Sequence, residues 1–146
     1  MIKRLVMDIK PEDRNTSIII DRTLAIEDDS RRYSINQVLE HIIIAGTMVQ
    51  TGISYISREK RFDYEIKIEN AKAYGTEDML EKCVSFYENY FKKTDKLLQK
   101  NSKMTKAHPW FVEFNNQDWH KFMYLHTFIH RRQIQAIIKA LGENNE

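Results

Sequence analysis

Three long stretches of this chain repeat their apolar residues at three- and four-residue steps, and only four glycines and two prolines interrupt them. That spacing lines one face of an α-helix, and so little punctuation favours long helices over the many turns of a β-protein. The first stretch runs from about Ser34 to Ser57, with Ser34 placed to cap it and Ile35, Val38, Leu39, Ile42, Val49, Ile53 and Ile56 on the buried face. A second stripe on that helix, Val38, His41, Ala45, Met48, Gly52 and Tyr55, carries small residues that would admit a close helix or a ligand.

The next helix is expected over about Thr76–Lys100. Gly75 breaks what precedes it, Thr76 can cap, Glu77 and Asp78 suit the positive end of its dipole, and Lys92, Lys93, Lys96 and Lys100 suit the negative end. Cys83, the lone cysteine, falls on its apolar face and reads as a small core residue. The last helix is expected over about Gln117–Leu141, stopping before Gly142 and a polar tail. The N-terminal third is less regular. Ile2, Leu5, Val6 and Ile9 suggest a short helix ending near Pro11, Ser17–Ile20 is rich in β-branched residues, and Glu27–Arg32 is a dense charge cluster.

Between the first two long helices, Phe62, Tyr64, Ile66 and Ile68 alternate as in an extended strap with apolar anchors. At roughly 3.3 Å per residue, the segment from Arg58 to Gly75 could cross the roughly 30 Å of a 20-residue helix, so those two helices could run parallel. A four-helix bundle with one long crossover accommodates that connection. Pro109 forbids a continuous helix through His108-Pro109-Trp110-Phe111, whose aromatics are expected to cover one end of the bundle.

The composition suits a single domain over residues 1–146, with 42% apolar residues to form one core. The 23 basic and 21 acidic residues leave a net charge of +2 without a long like-charge run, so nucleic-acid binding is not indicated. No apolar stretch approaches the roughly 20 residues of a membrane helix, the N-terminus lacks a secretory core, and a single cysteine cannot form an internal disulfide. A cytoplasmic location is the expectation.

The chemistry-bearing residues are histidines. His126 and His130 stand four apart on the apolar stripe of the last helix, and His41 lies on the apolar side of the helix from Ser34. The four-residue spacing puts two imidazoles one turn apart on one face, within reach of a single ion. His41 lies about 10 Å from the start of its helix and His130 about 16 Å from the end of its own, at about 1.5 Å per residue, so antiparallel helices would bring them to similar heights. Three neutral imidazoles plus water describe an open coordination sphere suited to zinc, nickel or ferrous iron. The alternative is three core histidines bonded to backbone or hydroxyl groups. Gln133, one turn beyond His130, suits the wall of the pocket or a role behind the ligands. His108 reads as a turn or pocket-edge residue, and His120, about 120° around the helix from His126, as peripheral. His126-Thr127-Phe128-Ile129-His130 lacks the glutamate of a zincin, and no paired Glu-x-x-His, glycine-rich phosphate loop, nucleophile elbow or Cys-x-x-Cys is present.

An ordered set of these features resembles the DinB-like superfamily of metal-binding four-helix bundles. Tyr33-Ser34-Ile35-Asn36-Gln37-Val38-Leu39-Glu40-His41 is similar to that family's Trp-Ser-then-His entry to its second helix. His108-Pro109-Trp110-Phe111, Trp119, His126, His130 and Arg132-Gln133 are similar to its loop and final helix. Ile26-Glu27-Asp28-Asp29-Ser30-Arg31 resembles the segment before the first histidine in one branch without an assigned reaction. The resemblance covers roughly residues 17–141. It implies an all-α, up-down-down-up bundle, often a homodimer, in which His41, His126 and His130 match the three metal ligands. It also implies a metal-dependent enzyme acting on a small molecule, with a low-molecular-weight thiol as partner in the thiol-dependent transferases of the family, or a hydrolase. A noncatalytic bundle that binds a small molecule or holds a structural metal is the alternative. Two departures stand out: Tyr33 replaces the usual tryptophan, and the chain begins close to the apparent first helix.

Overall fold

The computed structural model describes residues 2–66 and 77–143, and the described chain is mostly helical. Short helices α1 (Ile2–Val6) and α2 (Pro11–Arg14) precede the long helix α3 (Ile35–Ile56). Helix α4 (Leu80–Thr94), a two-residue strand pair β1 (Lys106–Ala107) and β2 (Glu113–Phe114), and α5 (Asn116–Glu143) complete the order. Among the described residues, no helix is long and apolar enough to cross a membrane.

Local chemistry explains where these helices begin and end. Gln37 N–H donates to Ser34 Oγ at 3.2 Å while Ser34 N–H donates to Gln37 Oε1 at 2.8 Å. This reciprocal capping box makes Ser34 the stop expected of it. Asn115 and Asp118 form a second reciprocal pair, with Asp118 N–H on Asn115 Oδ1 at 3.0 Å and Asn115 N–H on Asp118 Oδ2 at 3.4 Å, so α5 starts one residue before Gln117. Helix α5 also continues through Gly142 to Glu143 instead of stopping at Leu141, because glycine weakens a helix without forbidding it.

Helix α4 is shorter than its sequence pattern at both ends. The proposed breaker and cap, Gly75 and Thr76, lie outside the described residues; the helix begins at Leu80, whose N–H donates to Asp78 Oδ1 at 3.1 Å. After Thr94 the chain tightens into a 3-10 turn over Asp95–Leu98, leaving Lys100 beyond the helix. The carbonyls of Leu97 and Lys100 then accept from Asn116 Nδ2 at 2.9 and 2.8 Å, and that of Leu98 from Gln117 Nε2 at 2.9 Å. Side chains from the start of α5 thus satisfy acceptors that further helix would otherwise need.

The chain groups into two compact units, and α3, α4 and α5 each contribute to both. The first comprises residues 2–42, 77–84 and 126–143. It buries Ile2, Val6, Ile35, Leu39, Ile42, Leu80, Cys83, Ile134 and Ile137. Buried Asn36 donates to Asn15 Oδ1 at 2.7 Å and accepts from Met79 N–H at 3.1 Å. Arg14, also buried, donates to Ile9 O at 2.9 Å and to Asp78 Oδ2 at 2.7 Å, anchoring α2. The β-branched run Ser17–Ile20 forms no strand; Ile20 is instead clipped to Arg31 by Ile20 N–H on Arg31 O at 3.1 Å and Arg31 Nε on Ile20 O at 2.9 Å.

The second unit comprises residues 43–66 and 85–125. Val49, Ile53, Ile56, Phe62, Ile66, Tyr90, Trp119, Phe122 and Met123 form its core cluster. Of the small-residue stripe, Gly52 is used for close packing, since a Cβ there would lie 2.9 Å from Ile66 Cδ1; Gly46, outside that stripe, is packed more tightly still, with a Cβ there 2.4 Å from Phe86 Cζ. Phe62 and Ile66 are anchors as expected, whereas Tyr64 between them faces solvent. Residues 62–66 form no strand, so nothing holds the two-residue alternation in phase. Ile68 lies outside the described residues.

The loop aromatics also depart from expectation. Lys106 pairs with Phe114 and Ala107 with Glu113, and the intervening turn carries His108 to Val112. Trp110 N–H donates to His108 Nδ1 at 3.1 Å, and this tight local bond turns the following side chains outward. Trp110 and Phe111 are therefore 48% and 54% exposed. They line a surface groove of about 710 Å³ with Phe114, Phe122 and Leu125, instead of sealing a core.

Candidate metal centre

The capping box that starts α3 fixes the register that buries Ile35, Val38 and Ile42, and with them His41. In α5 the helical period places His126 and His130 on the buried side with Ile134 and Ile137. The three imidazoles converge. His41 Nε2 lies 3.2 Å from His126 Nε2, and His130 Nε2 lies 3.1 Å from the same atom. One ligand atom from each ring lies within 4.8 Å of the other two. As residues, His41, His126 and His130 are 6%, 4% and 8% exposed, so the cluster is largely desolvated.

Gln133 fixes the chemistry of His130. Its side chain is fully buried, with Nε2 2.8 Å from the carbonyl oxygen of Ser30 and Oε1 2.7 Å from His130 Nδ1. A carbonyl can only accept, so the amide nitrogen must face Ser30 and the amide oxygen must face the ring. His130 Nδ1 therefore carries the proton, and its Nε2 presents a lone pair to the cluster. Burial first, and then the neighbouring His41, pull the pKa of His130 down to about 3, against the opposing hydrogen bond from Gln133. The ring is neutral at pH 7.

That proton inventory tests whether the residues suit an ion. His126 Nε2 faces two other Nε2 atoms, one of them His130, whose proton is already placed on the far side of its ring. A neutral imidazole nitrogen holds either one N–H or one lone pair, so His126 Nε2 can make at most one full hydrogen bond to this pair. A cation instead uses a lone pair from every ring. Three nitrogens about 2.0–2.1 Å from one ion at tetrahedral angles lie about 3.3–3.4 Å apart, within a few tenths of an ångström of the two separations here. The residues fit. Three buried histidines could hold a metal ion, and among the described residues no carboxylate or thiol joins them.

The other histidines lie elsewhere in the chain's chemistry. His108 occupies a turn as expected, but its ring is buried instead of edging a pocket, with Phe122 at 4.4 Å and Trp119 at 5.1 Å between ring centres. Burial pulls its pKa down to about 4. His120 pairs with Tyr90 Oη through Nδ1 at 2.9 Å and stacks on that ring, and desolvation lowers its pKa. Cys83 is buried, which pushes its thiol up to about 12, so it is a packing residue and not a nucleophile. Ser30 is the site residue that the sequence did not disclose. It acts through its backbone carbonyl, which any residue type would supply.

Comparison with known proteins returned no matching family model, no matching curated protein and no matching solved structure.

Proposed function

We propose that this chain is a metal-dependent enzyme of the DinB-like type, in which His41, His126 and His130 hold a divalent ion, zinc, nickel or iron, against a small-molecule substrate. The observation that carries the reading is the convergence of three Nε2 atoms, with Gln133 turning the lone pair of His130 inward. Three protein ligands rather than four favour an ion with an open position over a closed structural site. Bound there, a dication would polarise an oxygen of the substrate or lower the pKa of a water or thiol. The chain itself orients the ligands, excludes most solvent and keeps His130 neutral near pH 7. A thiol-dependent transferase or a hydrolase suits such a centre, with a low-molecular-weight thiol as co-substrate in the former.

The fold that accompanies this reading is an up-down-down-up four-helix bundle assembled as a homodimer. In it, α1 and α2 stand where a longer first helix would.

The test is elemental analysis of the purified chain and of His126→Ala. Near-stoichiometric metal in the wild type and its loss in a variant that keeps its helical circular dichroism are expected. Equal metal content in both would reject the ligand assignment. For thiol chemistry, a low-molecular-weight thiol should perturb the visible spectrum of the cobalt-substituted protein, and no response across several thiols would remove that branch.

A further inference from the structure

The second unit contains a polar cleft of about 400 Å³ that shares no residue with the histidine cluster. Helix α3 and its end supply Gln50, Thr51, Ser54, Tyr55 and Arg58, while Lys93, Thr94 and Leu97 come from the end of α4 and the turn after it. Its volume is in the range of small-ligand sites.

The lining is rich in donors and, among the described residues, has no carboxylate. Arg58 Nη1 donates to Ser54 Oγ at 2.8 Å, which fixes the guanidinium across one helical turn and leaves the serine proton available. The Thr51 and Thr94 hydroxyls are already committed to the carbonyls of Thr47 and Tyr90, at 2.9 and 2.8 Å. Gln50 Nε2 is buried without an acceptor among the described residues. A buried donor of this kind is destabilising unless something accepts from it.

Charge selects the acceptor. Cations near helix ends often only complement the dipole, and each helix terminus here contributes roughly half a negative charge. Arg58 and Lys93 contribute two full positive charges, and no ion pair joins either to a carboxylate among the described residues. About one net positive charge therefore remains, enough to favour an anion over a neutral polar group. The Tyr55 ring and Leu97 add apolar surface beside it.

We propose that the cleft between Arg58 and Lys93 binds the oxyanion head, carboxylate or phosphate, of a small organic molecule, with Gln50 and Ser54 donating to it. The full chain, labelled with nitrogen-15, would be titrated with hexanoate and separately with inorganic phosphate at constant ionic strength. Saturable shifts of the Thr51, Ser54 and Lys93 amides and of the Gln50 side-chain amide are expected for at least one probe. Response to hexanoate assigns a carboxylate head and response to phosphate a phosphate head. The solvent-facing double variant Arg58→Gln/Lys93→Gln should weaken binding at least about tenfold, and Gln50→Glu, which replaces the donating amide with a negative charge, should abolish it. Changes that never saturate, or equal affinity in the double variant, would mean that the cleft is merely solvated and would overturn the proposal.

Discussion

The amide oxygen of Gln133 accepts the Nδ1 proton of His130 at 2.7 Å, while its nitrogen donates to the carbonyl of Ser30 at 2.8 Å. One fully buried side chain thereby decides which nitrogen of His130 faces His41 and His126. A loop carbonyl far away in sequence becomes part of the centre's chemistry. This coupling gives the Asp29–Arg32 turn a role that its charges alone do not suggest.

Replacing Gln133 with leucine preserves bulk but removes both hydrogen bonds. The His130 ring then loses its tautomer preference, and metal affinity should fall about 10- to 100-fold, as is usual when a partner behind a ligand is removed. Competition against a chromophoric chelator measures it, with circular dichroism showing that the helices persist. Undiminished affinity would show that Gln133 does not orient the ring.

Much of this arrangement was legible in the sequence because helical burial leaves a periodic trace. The apolar stripe that marks α5 carries His126 and His130 with it, and Ser34 reports the start of α3. Contacts made by backbone atoms leave no such trace, which is why Ser30 was missed. The short pairing of Lys106–Ala107 with Glu113–Phe114 was also missed, since two residues per strand cannot establish an alternation. Tyr64 was misplaced for a related reason: a two-residue period has meaning only where a strand exists to enforce it. The shortened end of α4 depended on Asn116 and Gln117, distant donors that local propensity does not register.

Gly46 tests the close packing of α3 against Phe86. Exchanging a helical glycine for alanine normally gains up to about 1 kcal/mol. Here the new methyl would meet Phe86 Cζ at 2.4 Å, Phe86 Cε1 at 2.8 Å and Met123 Cε at 3.0 Å. Overpacking of that kind costs about 1–3 kcal/mol, so Gly46→Ala should be destabilised by about 1 kcal/mol on balance. Adding Phe86→Leu should recover part of the loss, seen as non-additivity in a double-mutant cycle by urea unfolding. Stabilisation by Gly46→Ala alone would show that the Phe86 ring yields without cost.

His108 should make stability depend on pH. Its folded pKa lies at about 4, below the unfolded histidine value of about 6.5, so between those limits the unfolded chain binds more protons. Stability therefore rises with pH through this window and falls as acid is added, by up to about 1.4 kcal/mol per pH unit for one group. Protonation also turns Nδ1 from acceptor to donor against the Trp110 N–H that it now receives. Urea unfolding of the metal-free protein from pH 6.5 to 5, above most carboxylate titration, should show the loss. His108→Asn, which can still accept from residue 110, should be less stable at pH 7 but flatter across the window. An unchanged slope would assign the acid sensitivity to other groups.

Asn116 offers a sharper test, because its two ends have opposite polarity requirements. The two hydrogens of Nδ2 are shared among Ser57 Oγ at 2.9 Å and the carbonyls of Leu97 and Lys100 at 2.9 and 2.8 Å, while Oδ1 accepts from Ser102 N–H at 2.8 Å. The side chain is fully buried. Asn116→Ala removes these part-buried bonds, which should cost about 2–4 kcal/mol at about 1 kcal/mol per bond. Asn116→Asp keeps the shape and the acceptor for Ser102 but turns an oxygen toward two carbonyls. At pH 7 its negative charge faces those carbonyls, so the aspartate variant should be at least as unstable as the alanine variant. It should regain stability as the pH falls toward 5, since its folded pKa would be raised above the usual carboxylate value and protonation restores a donor. Thermal unfolding of both variants at pH 7 and 5 checks the sign, and an aspartate variant as stable as wild type at pH 7 would remove Asn116 as the donor that closes the end of α4.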